Sequence, residues 1–237
     1  MRPARAAERP RVGQQTAAIL FDFGGTLDGT AVTWKERMFR LCRAEGIGVT
    51  PEQFDPVFYR ADDALVRAIP DTLSLAETAQ RLAAGLGAAL ALGDDAVARV
   101  ARRFVDDATS AVRSNVALLS ELSHRYRLGI VSNFYGSLAR VCDDLGLRPL
   151  FGVIVDSARV GWTKPDARIF MHALEALDLE PGEAVFVGDS PSRDMAGARD
   201  VGMAHIWLTG EAASPPAPCC PGDPVIHSLA ELRRHLL

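Results

Sequence analysis

Three aspartates, a serine–asparagine pair and a lysine stand where they can do chemistry together. Asp22 ends an apolar run, residues 17–21, and leads straight into Gly24-Gly25-Thr26. Ser132 and Asn133 end a second run, and Gly188-Asp189-Ser190 ends another, with Asp194 five residues beyond Asp189. Between them Thr163-Lys164-Pro165-Asp166 opens a helical pattern. Carboxylates brought together repel unless a cation or a proton separates them. Oxygen ligands with room for water suit Mg2+. A lysine and a hydroxyl beside such an ion suit an anion such as phosphate. Asp22 is then free to attack phosphorus and form an aspartyl-phosphate. Lysine occurs only at Lys35 and Lys164, all other basic residues being arginine, so a lysine in this group is unusual for the chain.

These residues need a scaffold that makes them converge. Short apolar runs recur at 128–131, 152–155, 184–187, 205–208 and 225–226. Helical patterns at 137–145, 167–177 and 192–201 separate most of them. Buried strands alternating with helices imply a parallel sheet covered on both faces. In such a sheet, ligands bind at the carboxyl ends of the strands, where Asp22, Ser132 and Asp189 fall. One interval, 29–114, has no strand-like run and reads as helices at 34–45, 51–69, 75–90 and 94–109. Thr50-Pro51-Glu52 starts a helix, and Pro56 is expected to break or restart it. The expected fold is α/β, a Rossmann-like three-layer core from 16–29 and 113–237 with an all-helical domain, 30–112, inserted in it. Residues 1–15, rich in arginine, read as a disordered tail, and 211–224, with five prolines, as a loop.

Composition sets the outer limits. The chain has 237 residues, 48% hydrophobic and 24% charged, as expected of one large globular domain or a domain carrying an insert. The formal net charge of −4 provides no basic field for nucleic acid. No apolar run approaches the ~20 residues of a membrane span. Cys42, Cys142, Cys219 and Cys220 lack zinc-ligand spacing, and no apolar leader opens the chain. The expectation is a cytoplasmic protein without disulfides, monomer or homodimer, acting on a small molecule.

Taken in order, Ile19-Leu20-Phe21-Asp22-Phe23-Gly24-Gly25-Thr26-Leu27, Gly129-Ile130-Val131-Ser132-Asn133, Lys164-Pro165-Asp166 and Val187-Gly188-Asp189-Ser190 with Asp194 resemble the motifs of the haloacid dehalogenase superfamily. These are hydrolases and phosphatases that use an aspartate nucleophile. The resemblance spans roughly residues 17–237 and makes the helical insert the superfamily's cap. It implies that Asp22 is nucleophile and Mg2+ ligand, with the Gly24 carbonyl and Asp189 as further ligands. Ser132 would hydrogen-bond the phosphoryl group, with Asn133 beside it. Lys164 would neutralise phosphoryl charge and steady Asp22, and Asp194 would support the metal shell or Lys164.

One position departs from the pattern. Phosphatases of the superfamily carry an acid/base aspartate two residues after the nucleophile, and here that residue is Gly24. General acid–base catalysis contributes about 10²–10⁴-fold. Alkyl phosphates should therefore react slowly, acyl and aryl phosphates should suffer less, and the aspartyl-phosphate should accumulate. Asp28 reads as a solvated loop carboxylate rather than a substitute acid. The alternatives are a dehalogenase, a phosphonatase whose cap lysine could only be Lys35, and a phosphate- or metal-binding protein with weakened turnover. Trp34, Phe54, Phe58 and Tyr59 read as core of the helical insert, with one or two facing the substrate. Phe134 and Tyr135 could line the same pocket, and Arg60 and Arg67 could reach an anionic substrate.

Overall fold

The apolar runs form a single sheet. Strands β1 (Ala18–Phe21), β2 (Arg127–Ser132), β3 (Val153–Asp156), β4 (Ala184–Gly188), β5 (Ala204–Leu208) and β6 (Val225–Ile226) are all parallel, in the order β3-β2-β1-β4-β5-β6. β1, β4 and β5 are buried at every residue, so both faces must be covered. Alternate side chains of β1 feed opposite cores: Ile19 and Phe21 enter one, Ala18 and Leu20 the other. This computed structural model describes Val12 and residues 16–66, 70–210 and 222–237. Apart from Val12, the expected tail at 1–15 lies outside the described residues, as do Arg67, Cys219, Cys220 and most of the proline-rich loop.

Helices α1 (Trp34–Ala44), α2 (Pro51–Val66), α3 (Leu75–Leu90) and α4 (Asp94–Ser123) lie between β1 and β2. Then come α5 (Leu138–Asp144), α6 (Ser157–Val160), α7 (Ala167–Ala176), α8 (Ala196–Asp200) and the closing α9 (Arg233–Leu236). Ile169, Phe170, Ala173 and Leu174 of α7, with Ala198 of α8, cover the Leu20 face of the sheet. Leu119 and Leu122 of α4, Val141 of α5 and Leu236 of α9 belong to the core on the Phe21 face. The result is a three-layer α/β core.

The four helices after β1 follow their apolar periodicity. On α1, Trp34, Met38, Leu41 and Cys42 are buried at helical spacing. Thr33 caps that helix by accepting from the Glu36 amide at 3.2 Å. Ser74 and Glu77 form a reciprocal capping box on α3. α2 runs unbroken through Pro56. The proline removes one backbone bond near the start of the helix, while Phe54, Phe58, Ala61 and Leu65 hold its apolar face.

The boundary expected at 112/113 falls inside α4, a single helix of 30 residues and about 45 Å. Neither glycine nor proline occurs between 94 and 123 to end it. Its early residues Val97, Val100 and Phe104 pack among the inserted helices, and Leu118, Leu119 and Leu122 continue onto the sheet. The insert and the Phe21 face of the sheet therefore share one apolar cluster. An aromatic series joins them: Phe23 to Phe134 at 5.8 Å, Phe134 to Trp34 at 5.5 Å, Trp34 to Phe104 at 4.7 Å between ring centroids. Among the described residues, no helix is long and apolar enough to cross a membrane.

Phe104 is fully buried at the end of this series. Truncating such a ring leaves a cavity worth about 3–5 kcal/mol. Phe104→Ala should lower the unfolding free energy by that amount in a urea titration. A loss under about 1 kcal/mol would mean that the aromatic series does not join the two halves.

Candidate active site

The strand register brings the chemistry to one edge. Phe21 lies level with Ile130 of β2 and Val187 of β4, and the Asp22 amide donates to the Val187 carbonyl at 2.9 Å. Asp22, Ser132 and Asp189 thus leave the sheet together. They do so beside β1, where the chain, having built β2 and β3 on one side, crosses to β4 on the other. That is the switch point at which open α/β sheets bind ligands.

Lys164, in the loop before α7, places Nζ 2.7 Å from Asp22 Oδ1 and 2.7 Å from Asp194 Oδ1. Its side chain is 2% exposed. Burial alone would discharge the ammonium, but the Asp194 and Asp22 carboxylates outweigh it and hold the Lys164 pKa above its ordinary value. Ser132 Oγ donates to the same Asp22 Oδ1 at 2.8 Å. Among the described residues, every hydrogen bond to this carboxylate goes to Oδ1, which leaves Oδ2 without one. Asn133 lines the cavity, but its amide is engaged by the main chain of Lys164, accepting from N at 2.7 Å and donating to O at 3.1 Å. It positions the lysine loop.

The acidic groups outnumber that cation. Carboxylate oxygens of Asp22, Asp189 and Asp194 all lie within 4.8 Å of one another. Asp194 is buried between Lys164 and the Ser190 amide, which donates to its Oδ2 at 2.9 Å. Its burial raises its pKa, and the Lys164 charge opposes the rise. Among the described residues, the Asp189 carboxylate receives a single hydrogen bond, a long one of 3.4 Å from Thr26 Oγ1. Burial, then the charges of Asp22 and Asp194, push its carboxyl up to about 8. A hard divalent cation relieves such crowding, and an all-oxygen donor set suits Mg2+. The residues present therefore fit that ion.

Two glycines make the crowding sterically possible. Gly25 has φ 91°, and a Cβ there would stand 2.6 Å from Asp189 Oδ2. A Cβ on Gly188 would stand 2.4 Å from Asp194 Oδ2. Gly24 differs: a Cβ there would meet the Trp34 indole at 3.4 Å, an ordinary contact. The indole from α1 lies over the position where an acid/base side chain would begin.

Behind Trp34, Asp28 is fully buried, which corrects the reading of it as a solvated loop carboxylate. It accepts from Trp34 Nε1 at 2.6 Å, the Gly25 amide at 2.7 Å and Arg37 Nη1 at 3.0 Å. Burial raises its pKa, and Arg37 is the largest opposing influence. It anchors the loop after β1 and does not face the Asp22 cavity.

That cavity, about 480 Å³, has Asp22, Ser132 and Lys164 on the sheet side. Trp34, Phe58 and Asp62 line it from the inserted helices. Tyr59 and Lys35 reach it too, whereas Phe54 is core. Arg60 is not among its lining residues. Lys35 Nζ sits 2.6 Å from Asp55, whose hydrogen bond holds the ammonium above its ordinary pKa. A Schiff-base lysine must lose that proton. Sequence reasoning missed Asp62, Arg193 and the Asp28–Arg37 pair. For Asp62 a signal existed: it follows Phe58 by four residues, hence one helix face.

The model of the family described as haloacid dehalogenase-like hydrolase matches residues 19–208. Haloacid dehalogenase-like hydrolase domain-containing protein 3 of Bos taurus is 41% identical over 91 residues, 38% of this chain and 36% of that protein. Pyrimidine 5'-nucleotidase YjjG of Escherichia coli is 32% identical over 121 residues, 49% of this chain and 54% of that protein. The matches thus span only about a third to a half of these relatives. A solved structure of a HAD phosphatase from Thermococcus onnurineus superposes with a TM-score of 0.55 at 24% identity, covering 92% of this chain and 97% of that one, a likeness of fold.

The raised Asp189 carboxyl has a consequence for stability. Without metal, the native state holds a proton there that the unfolded chain has released above about pH 4. Native stability contributed by this group therefore falls as pH rises toward 8. Asp189→Asn removes the effect. The melting temperature of metal-free Asp189→Asn minus that of metal-free wild type should widen from pH 6 to pH 8, and Mg2+ should narrow it. A gap independent of pH would show that Asp189 is not the crowded group.

Proposed function

Because the chain belongs to the haloacid dehalogenase-like hydrolases, we propose that it is a Mg2+-dependent phosphatase of small phosphorylated molecules, working through an aspartyl-phosphate on Asp22. The carrying observation is the third carboxylate. Asp189 stands beside Asp22 and Asp194 with Lys164 as the cation between them. A phosphoryl group entering there adds further negative charge, which makes sense only with a metal. Attack on an uncharged carbon, as in dehalogenation, has no need of Asp189. The phosphonatase reading loses support from Lys35, which is ion-paired with Asp55. The nucleotidase among the relatives supports a phosphorylated substrate.

The residues divide the work. Ser132 and Lys164 hold Asp22 by Oδ1 and turn Oδ2 toward the incoming phosphorus. Lys164 keeps its charge because Asp194 shares it, and it offsets the phosphoryl charge that builds up during transfer. Asn133 fixes the main chain from which Lys164 reaches in. Asp22, Asp189 and the Gly24 carbonyl would hold Mg2+, and the ion would supply the positive charge that lets a phosphoryl group approach a carboxylate. The inserted helices act as a cap, closing the cavity over the substrate and excluding water.

The test is phosphate release from acetyl phosphate and para-nitrophenyl phosphate. Wild type with Mg2+ should turn both over, and Asp22→Asn, or wild type with chelator, should fall to background. Equal rates in wild type and Asp22→Asn would overturn the reading.

A further inference from the structure

Attack by a carboxylate on an alkyl phosphate expels an alkoxide, which needs a proton as it leaves. The residue two after Asp22 is a glycine covered by the Trp34 indole and cannot provide one. Asp28 is turned away, surrounded by Trp34, Arg37 and the Gly25 amide. Asp194 and Asp189 belong to the lysine and metal cluster.

Among the described residues, one carboxyl besides Asp22 lines the cavity: Asp62, on α2. It is partly buried and accepts a hydrogen bond at Oδ1 from the Tyr135 hydroxyl. Tyr135, in the loop after β2, is buried and packs at a tilt against Phe134 and Trp34, 4.9 Å and 5.9 Å between centroids. The hydroxyl is therefore fixed by the same aromatic group that covers Gly24, and it aims Asp62 at the cavity.

We propose that Asp62, carried by α2 and aimed by Tyr135, delivers the proton to the leaving oxygen and then takes one from the hydrolytic water. In the first step Asp22 Oδ2 bonds to phosphorus, the phosphorus–oxygen bond to the leaving group breaks, and that oxygen takes the Asp62 proton. In the second, water attacks the phosphorus of the aspartyl-phosphate, its proton passes to Asp62, and Asp22 is released as carboxylate with hydrogen phosphate. Both protons balance and no further reactant is needed. The electrostatics agree: burial raises the Asp62 pKa, the Tyr135 hydrogen bond opposes that, Asp63 adds to it and Arg193 opposes it. Burial, then the charge of Asp62, raises the Tyr135 pKa well above the usual phenol value, so it remains a donor.

The proposal rests on the phosphatase reading and is tested apart from it. Asp62→Asn, as the full chain, is assayed with glycerol 2-phosphate, an alkyl ester, and para-nitrophenyl phosphate, whose leaving group departs without a proton. kcat/KM for the alkyl ester should fall about 10²-fold or more, and for the aryl ester less than about threefold, which also reports an intact fold. An equal fall for both, or none for the alkyl ester, overturns the role of Asp62 while Asp22-dependent aryl turnover stands. Loss of that Asp22 dependence overturns the phosphatase reading, and this proposal with it.

Tyr135→Phe serves as the positioning control. It removes the hydrogen bond that favours the Asp62 carboxylate, so the carboxyl holds its proton to higher pH. The basic limb of the alkyl kcat/KM profile should move up in pH. Among the described residues, Arg193 and Tyr135 from the sheet side, and Asp63, Lys35 and Tyr59 from the insert, are the other titratable groups at this wall. An unmoved limb would mean that Tyr135 does not aim Asp62.

Discussion

An ammonium with almost no access to water sits between two carboxylates, and the rest of the candidate catalytic edge is arranged around it. Lys164 stays charged only because Asp22 and Asp194 both touch it. Removing one partner from such a buried group leaves an uncompensated charge, worth about 3–5 kcal/mol. The three partners come from separate loops, after β1, before α7 and after β4. The ion pairs therefore tie those loops into one edge. The surrounding residue choices follow: Asn133 holds the lysine's main chain, and the glycines at 25 and 188 make room for Asp189 and Asp194.

The second constraint is where the helical insert meets that edge. Its apolar core is continuous with one face of the sheet. The junction is aromatic and includes a buried ion pair, Asp28 with Arg37, beneath Trp34. Such pairs do little for net stability but are hard to rearrange. Here the pair sets the height and tilt of the indole over Gly24. The cavity wall is consequently built from side chains that also hold the insert in place.

The catalytic edge was legible in the sequence because a parallel sheet puts its functional groups at strand ends, and strand ends are marked by the apolar runs themselves. Asp22, Ser132 and Asp189 could be named that way, Lys164 and Asp194 only from their places in the motif series, and the structure brings the five together. Asn133 could be named but not its partner, since nothing local says that an amide side chain bonds a backbone 31 residues away. Asp28 was misread for the same reason: an aspartate after Gly-Gly-Thr-Leu looks like loop surface until Trp34 and Arg37 fold over it. Asp62 lay in a helix with acidic residues on either face, where its spacing from Phe58 was a faint signal and tertiary packing sets it apart from Asp63. The extent of α4 was knowable, because no residue in it could have ended it, but a helix carries no mark where its neighbours change.

That last element shapes how the two halves are coupled. The chain passes from sheet to insert through a short stretch, 28–33, in which Ala31 has a positive φ of 59°. It returns along α4, which is stiff and unbroken from the insert to the sheet. One connection is a short loop pinned at Asp28 and the other a rod. A displacement that leaves α4 intact is then a swivel about the rod or a tilt of rod and insert together, and it carries α2 with it. Any change in the width of the entrance made that way would also change the distance of Asp62 from Asp22, because α2 carries both that wall and that carboxyl.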